Sequence, residues 1–126
     1  MAANAIVVAV DNDSETIDRQ WSMAVRGATL KMIGQTVTSL SMGSLDAALR
    51  CHKEGLRFDS IFIDASHEYA ECRADIQAWM PLVRSGGIIA GHDYWAVHTG
   101  VMDAVNDVFQ ENFDIVPNTR IWHARK

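Results

Sequence analysis

Scarcity marks this sequence first. Two cysteines, Cys51 and Cys72, among 126 residues make no disulfide framework. Each falls in a stretch of helical spacing, and both are expected to be reduced in a cytoplasmic setting. No apolar run approaches the roughly 20 residues that a membrane span requires. The start of the chain has neither a basic segment nor a cleavable apolar stretch, which argues against a secretion signal. Basic residues are not in excess: the net charge of −5 argues against a nucleic-acid backbone as the main partner. Repeats, low-complexity segments and linkers are missing as well. With 48% hydrophobic and 21% charged residues, the composition is that of an ordinary globular protein, and the length suits one domain over residues 1–126.

What is present is an alternation of short apolar runs and helical patterns. "AIVVAV" (5–10) is continuous and β-branched, as in a strand covered on both faces. It ends at Asp11-Asn12-Asp13. Ser14 then opens a helical pattern with Ile17, Trp21, Ala24, Val25 and Ala28 on one face. "TVTSL" (36–40) is a second short strand. Gly43-Ser44 starts a helix expected to turn Leu45, Ala48 and Leu49 inward and to stop at Gly55. Phe58–Ile63 is a third strand. Tyr69, Cys72, Ile76, Trp79, Met80 and Val83 recur at helical spacing after it, with Pro81 expected to end or kink the helix. Gly86-Gly87 leads into a fourth strand, Ile88–Gly91. Thr99 is expected to cap a last helix carrying Val101, Val105, Val108 and Phe109. "FDIVPNTRIWHARK" reads as two strands joined at Pro117-Asn118.

The order β-α-β-α-β-α-β-α-β-β predicts an α/β domain with a mostly parallel sheet, flanking helices and an antiparallel C-terminal strand. In such sheets ligands bind at the carboxyl ends of the strands. Asp11, Gly43-Ser44, Asp64 with His67, and His92-Asp93 all fall at such ends. Asp64 also has a structural use as a helix cap, but Ser66 can serve that need equally well. His52, His98 and His123 are expected to be structural or solvent-facing. Trp21, Trp79 and Trp122 are expected in the core, Asp75 is expected solvated or locally paired, and Tyr94-Trp95 suit either a pocket wall or packing.

Ile63-Asp64-Ala65-Ser66-His67-Glu68-Tyr69, then Asp75 with Trp79, then Ser85-Gly86-Gly87 and Gly91-His92-Asp93-Tyr94, form a connected pattern. It resembles class I S-adenosylmethionine-dependent methyltransferases, in particular the small-molecule group that includes macrocin O-methyltransferase and the cephalosporin hydroxylase-like proteins. The resemblance is specific over residues 58–94 and looser from Ala5 to there. It implies a Rossmann-like fold and S-adenosylmethionine as cofactor. Asp11 matches the acid that binds the ribose hydroxyls, and Gly43-Ser44 the turn beside adenine, where the family commonly has Asp in place of Ser44. Asp64, His92 and Asp93 match a site for a divalent metal ion, and His67 a general base. His92 stands where the family has a carboxylate, and an imidazole suits manganese, iron or zinc, or no metal at all, better than magnesium.

The family's first strand and glycine-rich loop would precede "AIVVAVD", where this sequence has four residues. The chain is therefore expected to be a truncated domain that binds the cofactor weakly alone and seeks a partner: a second copy or another chain. The implied function is methyl transfer to a small hydroxylated molecule. Two other readings stand beside it. One is a non-catalytic binding or assembly module. The other is a receiver-like phosphoacceptor domain, for which "VVAVDND" and Asp64 speak, but "IIAGHDY" supplies neither the lysine nor the hydroxyl residue that such domains need.

Overall fold

A computed structural model describes residues 7–11 and 37–126. The helix expected after Ser14, including Trp21, lies outside the described residues. Two compact units are present, residues 1–47 and 48–126.

In the first unit, β1 (Val7–Asp11) pairs in parallel with β2 (Val37–Ser41), with Asp11 opposite Ser41. The two form a sheet of their own. Helix α1 (Ser44–Lys53) starts directly after β2, and its first turn is closed by the Ala47 amide donating to the Gly43 carbonyl. Ala48 is buried as expected, but Leu45 and Leu49 are exposed, and Ala47 and Cys51 are buried instead. The helix stops as expected. Gly55, at φ 72°, takes the left-handed conformation, and the Leu56 amide reaches back to the Cys51 carbonyl.

The second unit holds a four-stranded sheet in the order β3 (Phe58–Ile63), β4 (Val83–Gly91), β6 (Trp122–Arg125), β5 (Asp114–Ile115). β3 and β4 are parallel, and β6 is antiparallel to both β4 and β5. β6 therefore runs opposite to the other three strands of this sheet, which is the antiparallel C-terminal strand of the expected fold. Pro117 and Asn118 occupy the β5–β6 turn. Asn118 has φ 61° and the Thr119 amide donates to the Val116 carbonyl, the pattern of a type II turn.

Helix α2 (Tyr69–Trp79) ends just before Pro81, which sits in a short 3-10 turn, Met80–Leu82. Asp75 of α2 is buried, so the solvated alternative for it is corrected. β4 is longer than the Ile88–Gly91 run. Gly86 (φ 81°) and Gly87 form an irregularity inside it rather than a turn before it. Helix α3 (Thr99–Phe109) has its cap one residue earlier than expected: His98 holds that position, with no side-chain capping bond, and Thr99 is already helical. Asp107 of α3 accepts hydrogen bonds from Tyr69 and Arg73 of α2, tying the helices together.

The core gathers Ile76, Leu82, Val83, Ile89, Val105 and Trp122. Leu82 comes from the 3-10 turn; the burial of the others follows from the periodicities, two on the strands and 3.6 on α2 and α3. Trp122 bears most directly on the carboxyl end of the sheet. A side chain at Gly91 would meet its indole at 2.6 Å, so only glycine lets that ring lie across the end of β4.

Candidate active site

Because β3 and β4 are parallel and in register from Ile63 to Gly91, their carboxyl ends lie side by side. The last ladder bond runs from the His92 amide to the Ile63 carbonyl. The segment after β3 (Asp64 to Glu68) and the segment after β4 (His92 to His98) therefore face each other across one small pocket. Asp64, Ser66, His67, His92 and Asp93 line it, with Cys72, Val101 and Trp122 among its apolar walls.

Glycine again permits the close approach. A side chain at Gly100, in the first turn of α3, would collide with the His67 carbonyl at 2.4 Å. Ser66 accepts the Glu68 amide at 3.1 Å in a local turn; the cap position of α2 is Glu68, with no side-chain bond, so the expected capping by Ser66 is not seen. Asp64 does not cap α2 either.

Asp93 is the hub. Its backbone has φ 65°, a conformation uncommon outside glycine, asparagine and aspartate and one that concentrates at functional sites. Its side chain is only 15% exposed, and both oxygens are engaged. Oδ2 lies 2.8 Å from His67 Nε2, and Oδ1 lies 3.0 Å from His92 Nδ1. Partial burial pushes the carboxyl's pKa up. The hydrogen bonds and positive character of His67 and His92 outweigh that and hold it below its ordinary value. An ionised Asp93 only accepts hydrogen bonds, so the facing nitrogens must donate. His67 then carries its proton on Nε2 and presents the lone pair of Nδ1. That is the tautomer a general base needs.

His98 belongs to this site, although its place in the sequence suggested only a structural or solvent-facing role. Its ring stacks on His67, with centroids 3.9 Å apart and planes inclined by 30°. Its Nε2 is 4.0 Å from Asp93 Oδ1, beyond hydrogen-bonding distance. A histidine five residues past Asp93 in a rim segment was the available signal, but no periodicity points to it.

Two donor sets converge within 4.8 Å: Asp64, His92 and Asp93, and His67, Asp93 and His98. The first suits a divalent ion. His92 Nδ1 and Asp93 Oδ1 are 3.0 Å apart, the separation of neighbouring ligands on an octahedral ion with bonds of about 2.1 Å. The nitrogen in the set favours manganese, iron or zinc over magnesium. The second set suits one poorly. Its His67 Nε2 is already turned onto Asp93 Oδ2 at 2.8 Å, and its two rings stack face to face rather than converging edge-on.

The other expected residues fall in the first unit. Asp11 ends β1 opposite Ser41, and Gly43-Ser44 follow directly on β2. Among the described residues, a side chain added at Gly43 would meet Asp46 at 3.9 Å, an ordinary contact. Tyr94 donates to Asn106 and packs on Phe113, while Arg120 lies 3.2 Å over the Trp95 ring. Cys72 is buried, and burial, with Asp75 adding to it, pushes its thiol up to about 11. Burial raises the Cys51 thiol as well. Neither is a nucleophile at neutral pH.

No curated protein sequence matches the chain. Solved structures do resemble it. CalS11, a TDP-rhamnose 3′-O-methyltransferase of calicheamicin biosynthesis, superimposes over 94% of this chain and 56% of its own, at 14% identity and a TM-score of 0.67. An O-methyltransferase from Bacillus cereus, in complex with SAH, covers all of this chain and 65% of its own, at 15% identity and a TM-score of 0.67. MycE methyltransferase of the mycinamycin pathway, in complex with Mg and SAH, covers 98% and 45%, at 15% identity and a TM-score of 0.57. The chain thus spans between about half and two thirds of the length of these proteins. At such identities the likeness establishes the Rossmann-like fold. The sequence match goes further: residues 2–94 fit the family described as a methyltransferase domain. With well over half of its length matched, this chain belongs to the methyltransferase-domain family.

Proposed function

We propose that this chain is the acceptor-activating part of an O-methyltransferase for a small hydroxylated molecule, acting as one domain over residues 1–126. The observation that carries this reading is the 2.8 Å contact of His67 Nε2 with Asp93 Oδ2, which leaves Nδ1 free at the carboxyl ends of two parallel strands. Neighbours that act on sugars or bind SAH support it.

S-adenosylmethionine, when bound, supplies a methyl group on a sulfonium that departs with its own electron pair. The protein has to align the acceptor oxygen and take its proton. His67 Nδ1 takes that proton, and ionised Asp93 stabilises the imidazolium that results. Asp64, His92 and Asp93 would hold a divalent ion, His92 then binding through a deprotonated Nδ1. Held there, the ion would supply Lewis acidity to the acceptor hydroxyl. Without one, the same three side chains orient the hydroxyl by hydrogen bonds. Asp11 binds the ribose hydroxyls, and Gly43-Ser44 contact the adenine edge. A strand-end acid beside a glycine turn fits that part of the cofactor.

In the four-stranded sheet β3 is at the edge, and Phe62 on it is 56% exposed. This supports pairing with a second copy or a partner chain. Light scattering at micromolar protein tests it, and a monomer mass would refute it.

Titration with S-adenosylhomocysteine tests the function. Micromolar binding is the expected result for an enzyme. No binding at millimolar ligand would leave the non-catalytic module.

A further inference from the structure

His67 is 46% exposed at its side chain, an unusual degree of freedom for a base that must hold one orientation. One hydrogen bond fixes its Nε2 end but leaves the ring able to pivot about that contact. The pivot is blocked on one face by His98. The two rings stack at 3.9 Å, within contact distance of each other.

His98 is well placed to act as a fixed wall. It stands at the start of α3, where its carbonyl accepts the amides of Val101 at 3.1 Å and Met102 at 3.3 Å. Two residues later Gly100 lies hard against the His67 backbone. The helix start is thus locked to the same segment whose side chain His98 covers. The 4.0 Å separation from Asp93 shows that His98 is not a third hydrogen-bond donor to the hub. Its ring face is what it contributes.

We propose that His98 is a positioning residue for His67: its imidazole, anchored at the first turn of α3, holds the His67 ring against Asp93 so that Nδ1 faces the acceptor. This rests on the reading of His67 as the base. It makes α3 and the segment after β4 part of the proton-transfer apparatus.

The test needs no acceptor. Protein labelled with 15N in its histidine rings is examined by NMR for the His67 Nε2–H proton, in wild type, His98→Asn and His98→Phe. Asparagine caps helices well, so α3 is preserved while the ring is lost. Phenylalanine restores a ring without the nitrogens. Wild type should show a slowly exchanging, downfield Nε2–H resonance. It should be lost in His98→Asn and return in His98→Phe. Persistence in His98→Asn would overturn the proposal, as would its loss in both variants, which would assign the effect to the His98 nitrogens. Backbone amide spectra show that each variant is folded. Failure here is distinct from failure of the methyltransferase reading, which is decided by S-adenosylhomocysteine binding and not by this resonance.

Discussion

His67 and Asp93 meet at 2.8 Å across twenty-six residues of sequence, one from the segment after β3 and the other from the segment after β4. The parallel pairing of those strands creates the contact. Each strand ends its apolar run at the same level, and the first polar residues beyond the sheet are set face to face. The carboxylate fixes the imidazole's tautomer, and the imidazoles keep the carboxylate ionised.

Replacing Asp93 with Asn should abolish that mutual support. An amide can donate as well as accept, so it no longer dictates which His67 nitrogen carries the proton. Methyl transfer by Asp93→Asn should fall by about 10²–10⁴-fold, the range of a general base's contribution. S-adenosylhomocysteine production, measured with whichever sugar or phenol in a panel the wild type accepts best, reads the loss. A decrease of less than about threefold would contradict the base assignment.

The same carboxylate shapes acid stability. Its folded-state pKa is below the unfolded value, so its contribution is fully present above about pH 4. It is lost as pH falls further, through the lower folded value. In Asp93→Asn the decline of the urea midpoint between about pH 4 and pH 2 should be shallower than in wild type. Parallel declines would show that Asp93 is not coupled to folding.

Manganese binding separates the two donor sets. Asp64→Asn should weaken Mn²⁺ affinity by more than about tenfold, since even losses outside the ligand shell cost that much. His98→Asn should leave it near wild type. Calorimetry with Mn²⁺ as the only titrant decides the matter, and the opposite ranking would move the ion to the His67 side.

Gly91→Ala should destabilise the protein by about 1–3 kcal/mol through overpacking against Trp122. The urea midpoint should fall with an unchanged slope. Wild-type stability for this variant would mean that the indole is not held across β4.

Cys72, with its thiol pushed up to about 11, should resist iodoacetamide in the native protein at pH 7.5 and react at once in urea. Rapid native labelling, located by peptide mass, would show that the helix α2 core opens readily.

The sequence carried much of this architecture in its local signals. Gly55 and Asn118 adopt the left-handed backbone their positions called for, and Pro81 ends α2. The apolar runs at 58–63 and 88–91 became the neighbouring parallel strands whose ends hold Asp64, His67, His92 and Asp93. Where expectation and structure part, composition and spacing hold no information about the neighbour. Leu45 and Leu49 share a helical face with Ala48 yet are exposed. Asp75 has the look of a surface residue in sequence and is buried.

By itself, then, the order of residues determined which segments are strands and helices and which polar side chains stand at strand ends, because those features follow from chain geometry with periods of two and 3.6 residues. The tertiary structure alone decided that His98 covers His67, that Asp93 serves two imidazoles at once, and that Gly91 and Gly100 are pressed against Trp122 and the His67 backbone. These are contacts between segments far apart in the chain or across a turn of irregular backbone. They depend on strand register and on how closely two elements approach, neither of which leaves a periodic trace in the sequence.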